Sequence, residues 1–237
     1  MFEFIGKYKA KKEEKKRITQ LDRFKSAVSN FNVQDSSRGN FEDFIKGFRD
    51  HSLIMLIIGR RGAGKTALGM KLVETAAILN KKIYVIGFGN SSVPNWVKKA
   101  DDLSEIPNNS LVLIDEAGIS FSSRSSMKQS NKDLAELLAI ARHKNLSLIF
   151  ITQNSAMLDL NVLRLCDILL FKEPSLLQTR FERKGLQDIF DKVGNSFSSI
   201  QDKKEHFYVI SDDFEGLVKS GLPEFWNDSI SKSFRKK

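Results

Sequence analysis

Residues 53–68 read "LIMLIIGRRGAGKTAL", and the fold follows from this stretch. Leu53 to Ile58 form an apolar run with no polar interruption, the texture of a strand covered on both faces. A glycine-rich turn follows, and from Lys65 the chain becomes an Ala- and Leu-rich helical segment. Gly59, Gly64, Lys65 and Thr66 satisfy G-x-x-x-x-G-K-[ST] in the context that motif demands, with a strand before it and a helix after it. The glycines let successive N–H groups turn inward around phosphate oxygens, and the start of the helix adds its partial positive charge. Gly59, Arg60, Arg61, Gly62, Ala63, Gly64, Lys65, Thr66 and Ala67 are therefore the candidate phosphate-binding positions. Lys65 is expected to reach the β and γ phosphates and the Thr66 hydroxyl to take one position on Mg²⁺, which points to a nucleoside triphosphate.

Outward from the loop, short apolar runs alternate with helical patterns: "KIYVIGF" at 82–88, "LVLIDEA" at 111–117, a helix near 131–142, "LSLIFITQ" at 146–153 and "DILLFKE" at 167–173. Doubly covered strands of this kind belong in a parallel sheet with helices on both sides, so the fold class is α/β. Residues 1–50 read as a basic N-terminal extension whose Phe24, Phe31, Phe41, Phe44 and Phe48 pack on the main domain. Residues 51–175 read as the core. Residues 176–237 read as a helix running to about Gly194, a hairpin ("EHFYVIS" and "EGLVKS"), an aromatic anchor at Phe225 and Trp226, and a basic tail.

The chain has 237 residues, 41% apolar and 28% charged, which suits one main α/β domain and excludes full-length disorder. Lys and Arg outnumber Asp and Glu by 38 to 29, a formal charge of +9. That excess fits a polyanionic partner, and it equally fits a Lys-rich proteome. One cysteine, Cys166, excludes an internal disulfide and points to a reducing compartment. No run of 18 apolar residues exists, and "MFEFIGKYKAKKEEKKR" is too charged for a signal peptide. The expectation is a soluble, cytoplasmic chain, in the host cytoplasm if it is viral.

Two further strand ends carry chemistry. "LVLIDEAG" ends a buried run in two carboxylates. Asp115 is the natural partner of Thr66 in the magnesium shell, and Glu116 can polarise a water in line with the γ phosphate. The D-x-x-G of GTPases also fits, but no N-K-x-D follows, since "NKDL" at 131–134 places Leu134 where guanine recognition needs an aspartate. In "LSLIFITQN", a strand between the loop strand and the Asp-Glu strand would bring Thr152 and Gln153 to the γ-phosphate edge.

Together, "GRRGAGKT", "LIDEAG" and "LAIARHKNLSLIFITQ" resemble the additional-strand, catalytic-glutamate P-loop ATPases. Within that group they resemble the FtsK–HerA superfamily of DNA pumps, which includes viral genome-packaging ATPases and the related Zot-like phage assembly proteins. The resemblance spans roughly residues 53–173. It implies a RecA-like P-loop NTPase core with a central, mostly parallel sheet flanked by helices. ATP and Mg²⁺ are the implied ligands, double-stranded DNA the implied substrate, and a ring of identical copies, typically a hexamer, the implied assembly. A capsid or membrane assembly protein is a further implied partner. Members carry an arginine on the helix before the Gln-bearing strand, a position matched by Arg142, which the resemblance casts as a finger reaching into the neighbouring subunit's site. The other reading of Arg142 is a surface charge on an amphipathic helix, and Arg124 competes for the finger role. Arg124 and Lys128, in "SFSSRSSMKQSNK", would face a central channel and touch DNA phosphates, or else belong to a solvated loop.

The chain also departs from the pattern. Arg60 and Arg61 fill loop positions that many members give to Ser or Thr, with no purpose evident from sequence. Zot-like proteins often carry a membrane span after the ATPase; none follows here, which favours DNA packaging or transfer over virion extrusion. His51, His143 and His206 are scattered and read as structural, as does Cys166. The basic N-terminus and the "SKSFRKK" tail could bind nucleic acid or remain solvated arms. Three function classes compete: a DNA-translocating ATPase, a morphogenesis ATPase acting on a protein assembly, and a small-molecule P-loop kinase, the last disfavoured for want of an arginine-rich lid.

Overall fold

The computed structural model describes residues 2–89, 91–115, 137–152, 163–175 and 184–227. In chain order its elements are α1 (Phe2–Val28), β1 (Phe31–Gly39), α2 (Phe41–Asp50), β2 (Ile54–Ile58), α3 (Lys65–Ala77), β3 (Lys82–Ile86), β4 (Val97–Lys99), β5 (Ser110–Ile114), β6 (Ser147–Thr152), β7 (Ile168–Phe171), α4 (Lys184–Ser198), β8 (His206–Ser211) and β9 (Phe214–Ser220). Residues 137–143 are also helical.

All nine of these strands form one sheet in the order β1-β9-β8-β7-β2-β6-β5-β3-β4. From β7 to β4 every pairing is parallel, and β8, β9 and β1 extend the sheet antiparallel. The parallel part follows from the unbroken apolar runs, because side chains alternate across the sheet and both faces must be covered. On β2, Met55 and Ile57 enter one core while Ile54, Leu56 and Ile58 enter the other. On β5, Leu111 and Leu113 divide from Val112 and Ile114 in the same way.

The first core lies beneath α2 and α3 and takes in Phe24, Phe31, Phe44 and Phe48, with Phe41 packed against it. The second lies beneath α4 and residues 137–143, through Phe190, Val193, Phe197, Leu138 and Ala141. Lys71 Nζ donates to Glu74 Oε2 at 2.6 Å, and the other carboxylate oxygen of Glu74 accepts the Glu224 N–H at 2.7 Å. That contact brings the C-terminal segment onto α3, where Phe225 packs edge-on against Trp96. The aromatic anchor read from Phe225 and Trp226 therefore closes the first core.

The expected hairpin is β8 and β9. The helix before it ends at Ser198, four residues beyond the expected Gly194. Phe197, one residue from that end, is buried in the second core and holds the added turn in place. Four elements were not foreseen, one of them the three-residue edge strand β4. α1 and α2 lie in the stretch read only as a basic extension with packing phenylalanines. β1 is exposed along almost its whole length and is held chiefly by its ladder to β9.

Candidate functional site

Ile58, the last residue of β2, is in register with Thr152 of β6 and Phe171 of β7. The loop at 59–64 therefore starts at the C-terminal edge of the parallel sheet, between the ends of two neighbouring strands, where ligands bind in folds of this kind. Gly62 and Gly64 have φ of 78° and 89°. A side chain at either would be strained, and these backbone angles let the loop curl into the start of α3. The Lys65 ammonium donates to the carbonyls of Gly59 and Arg60 at 2.9 and 3.0 Å, across the loop it closes. Ala63 and Lys65 are buried; Arg60, Arg61 and Gly62 are exposed.

Beside the loop, Thr66 Oγ1 donates to Asp115 Oδ2 at 3.3 Å. Asp115 follows β5 directly, and its N–H donates to Ile86 O at 3.1 Å. β6 lies between β2 and β5, as read from "LSLIFITQN". The two residues expected to share a magnesium ion are thus drawn together from elements about 50 positions apart. Hard oxygens from a hydroxyl and a carboxylate suit Mg²⁺, and a glycine-rich loop with an inward lysine at a helix start suits a triphosphate. The residues present fit both ligands.

Arg142 sits at the other edge of the sheet. Its Nη2 donates to Leu165 O at 2.9 Å and lies 3.7 Å from Asp167 Oδ1, while Asp167 Oδ2 accepts the N–H of Ile54 at 2.7 Å. These are residues at or before the N-terminal ends of β2 and β7. The length of β2, about 17 Å at roughly 3.3 Å per residue, separates Arg142 from its own phosphate loop. Glu116 and Gln153 come directly after Asp115 and Thr152 in sequence but, like Arg124 and Lys128, lie outside the described residues.

Arg60, unexplained in sequence, has a partner. Its Nε and Nη2 donate to Glu173 Oε2 at 2.8 and 2.5 Å, and Lys203 Nζ donates to Glu173 Oε1 at 2.9 Å. Burial raises the pKa of Glu173, but the hydrogen bonds from Lys203 and Arg60 outweigh it and hold the carboxyl below its usual range. Sequence reasoning passed over Lys172, Glu173 and Lys203. The one signal was a Lys-Glu pair ending the run "DILLFKE". Burial, reinforced by Asp167, pushes the Cys166 thiol up to about 12. A groove between α1 and the end of α3 is lined by Lys12, Lys15, Lys16 and Arg23. Among the described residues no helix is long and apolar enough to cross a membrane.

Residues 68–172 match the zonular occludens toxin (Zot) family, from just after the phosphate loop through the end of β7. A comparison with curated proteins finds no match. The DNA-packaging ATPase B204 of Sulfolobus turreted icosahedral virus is similar in structure, with TM-score 0.50, 17% identity and coverage of 73% of this chain and 99% of that one. The genome packaging NTPase B204 of Sulfolobus turreted icosahedral virus 2 in complex with sulfate gives TM-score 0.50 and 18% identity over 72% of this chain and 98% of that one. A part of EssC, ATPases 2 and 3, from Geobacillus thermodenitrificans gives TM-score 0.46 and 10% identity over 78% of this chain and 42% of that one. At such identities the likeness to B204 is one of fold. With the Zot match, it bears out the resemblance to the FtsK–HerA and Zot-like P-loop ATPases and the α/β fold class.

Proposed function

We propose that this chain is an ATP-hydrolysing motor that works as a ring of identical copies, with six as the expected number, and moves double-stranded DNA in genome packaging or mobile-element transfer. The observation that carries the ATPase reading is the Thr66–Asp115 contact beside a curled phosphate loop, with β6 interposed between β2 and β5. Loop N–H groups from Gly59 to Ala67 would cradle the phosphates, Lys65 would neutralise the β and γ oxygens, and Thr66 with Asp115 would hold Mg²⁺. The bound metal would draw charge from the phosphate oxygens. Glu116 would accept a proton from the attacking water, and Gln153 would sense the γ phosphate. Arg142, kept far from its own loop, would serve the neighbour's site and stabilise charge on the transferred phosphoryl group.

The DNA reading is supported by the net charge of +9, by the lysine-lined groove on α1, and by the packaging role named for the proteins whose fold it shares. Arg124 and Lys128 are the candidate phosphate contacts in the ring's channel. A second reading, a morphogenesis ATPase acting on a protein assembly, is favoured by the Zot match.

The test is ATP turnover with Mg²⁺, with and without duplex DNA, over a protein concentration series and a salt series. DNA-stimulated hydrolysis that appears with assembly and falls steeply with salt is expected. Lys65→Ala should abolish nucleotide binding, and Glu116→Gln should bind and not turn over. Hydrolysis indifferent to DNA at every salt concentration would sink the DNA reading in favour of the assembly role. No hydrolysis at any protein concentration would sink both.

A further inference from the structure

Lys172 directly follows β7 and is 2% exposed, yet no role above uses it. Its N–H donates to Ile58 O at 2.7 Å, which seats it beside the start of the phosphate loop. A Cβ placed on Gly59 would lie 2.8 Å from Lys172 Cβ, and one placed on Gly64 would lie 3.6 and 3.8 Å from its Cε and Nζ. The lysine stem therefore runs beneath the loop from its first glycine to its last. Beyond Gly64, the ammonium donates to Lys204 O at 2.5 Å, in the 3-10 turn Lys203–Glu205 that leads into β8. Glu173 makes the matching tie on the outer side. Its carbonyl accepts the Arg60 N–H at 3.1 Å, and its carboxylate joins Arg60 to Lys203. Two consecutive residues thus bind the phosphate loop to the base of the C-terminal hairpin, one from beneath and one at the surface.

The charge on Lys172 is held at a cost. Burial drives its pKa down from 10.5 to about 7, and Glu205 opposes this only in part. The ammonium lies close to the start of α3, the positive end of the helix dipole, with Lys65 in the same loop. A triphosphate in the loop would bring negative charge to the point where these positive groups converge and would favour the protonated amine.

We propose that Lys172 is a positioning residue for the phosphate loop, holding Gly59 and Gly64 from beneath and anchoring them through the Lys204 carbonyl to the base of the β8–β9 hairpin. The proposal rests on the nucleotide-binding reading above. The charged and titratable groups on the elements that meet at Lys172 are Lys203, Lys204, Glu205 and His206 from the turn and β8, Arg60, Arg61 and Lys65 from the loop and α3, and Glu173 beside it, and of these Glu205 favours its charged form.

The test is binding of a fluorescent ATP analogue with Mg²⁺ between pH 6 and pH 9 to the wild type, Lys172→Met, Lys172→Gln and Lys65→Ala. Wild-type affinity should fall as pH rises through 7, beyond any change due to the analogue. Lys172→Met should bind about tenfold more weakly at pH 6, the effect of losing one charge-assisted buried hydrogen bond, and should lack that fall. Lys172→Gln, which keeps a donor for the Lys204 carbonyl without a charge, should recover part of the affinity and none of the pH dependence. Its use also guards against a methionine variant that fails to fold. If both variants bind with wild-type affinity and wild-type pH dependence while Lys65→Ala does not bind, the positioning role is overturned and the nucleotide site stands. A wild type that binds no nucleotide would overturn the site and this inference together.

Discussion

Replacing Lys172 with methionine should reverse the order of stability between acid and alkaline pH. An unfolded lysine titrates near 10.5 and this one titrates in the fold at about 7. At about 1.4 kcal/mol per unit, the charged form is disfavoured in the fold by an order of 4 to 5 kcal/mol. Below pH 7 both states carry the proton and the whole penalty is present. Between pH 7 and 10.5 the unfolded chain binds more protons, so stability rises with pH, and above 10.5 the penalty is gone. Methionine fills a similar volume without a charge, but it withdraws the donor from the Lys204 carbonyl at a cost of about 1 to 3 kcal/mol. In nucleotide-free protein, Lys172→Met should therefore be about 2 kcal/mol more stable than wild type at pH 6 and about 2 kcal/mol less stable near pH 10. Urea unfolding at pH 6, 8 and 10 reads this directly, and comparison at each pH removes the titration common to both proteins. A difference of the same sign and size at all three values would refute the claim that the lysine is buried with its charge disfavoured.

Gly216→Ala should break the edge of the sheet. Its Cβ would stand 2.2 Å from Asp35 O and 2.7 Å from Phe214 Cζ, and backbone cannot yield as a flexible side chain can. A loss of about 3 kcal/mol in chemical unfolding is expected, at the upper end of overpacking, and a loss below about 0.5 kcal/mol would contradict the β1–β9 register. Cys166, half-buried, should react with iodoacetamide at pH 8 at least about tenfold more slowly in the native protein than in urea, because less thiolate forms when partial burial raises the pKa to about 12; equal rates would refute the raised pKa. Arg142→Ala removes only exposed contacts, so stability should change by less than about 1 kcal/mol. If the residue serves a neighbouring site, assembled turnover should fall about a thousandfold or more, with partial recovery in rings mixed with wild type. A fall no larger than the stability loss explains would leave Arg142 a brace between Leu165 and Asp167.

The phosphate loop and its surroundings were legible because they are local. Strand, turn and helix start lie within sixteen consecutive residues, the glycines mark the positions of positive φ, and unbroken apolar runs imply a parallel sheet. The nearness of Asp115 to Thr66 could be read only from the two motifs together, because an acid ending a buried run is common by itself and gains meaning about 50 residues after a glycine-rich loop that ends in Lys-Thr. The N-terminal elements were less legible. "FNVQDSSRG" carries no alternating apolar face, and β1 is a strand because the backbone of β9 offers it a ladder, information that lies about 180 residues away. Arg60 was opaque for the same reason, since Glu173 lies 113 residues downstream.

By itself, then, the sequence determined the residue types of the loop, the class of the fold and the edge of the sheet at which the loop opens, since each depends on neighbours within a turn or a strand. Tertiary structure alone decided what lies beneath the loop. The burial of Lys172, its contact with both ends of the loop and its tie to Lys204 depend on where β7 and the 203–205 turn meet, and no short stretch of chain encodes the distance between two segments that far apart.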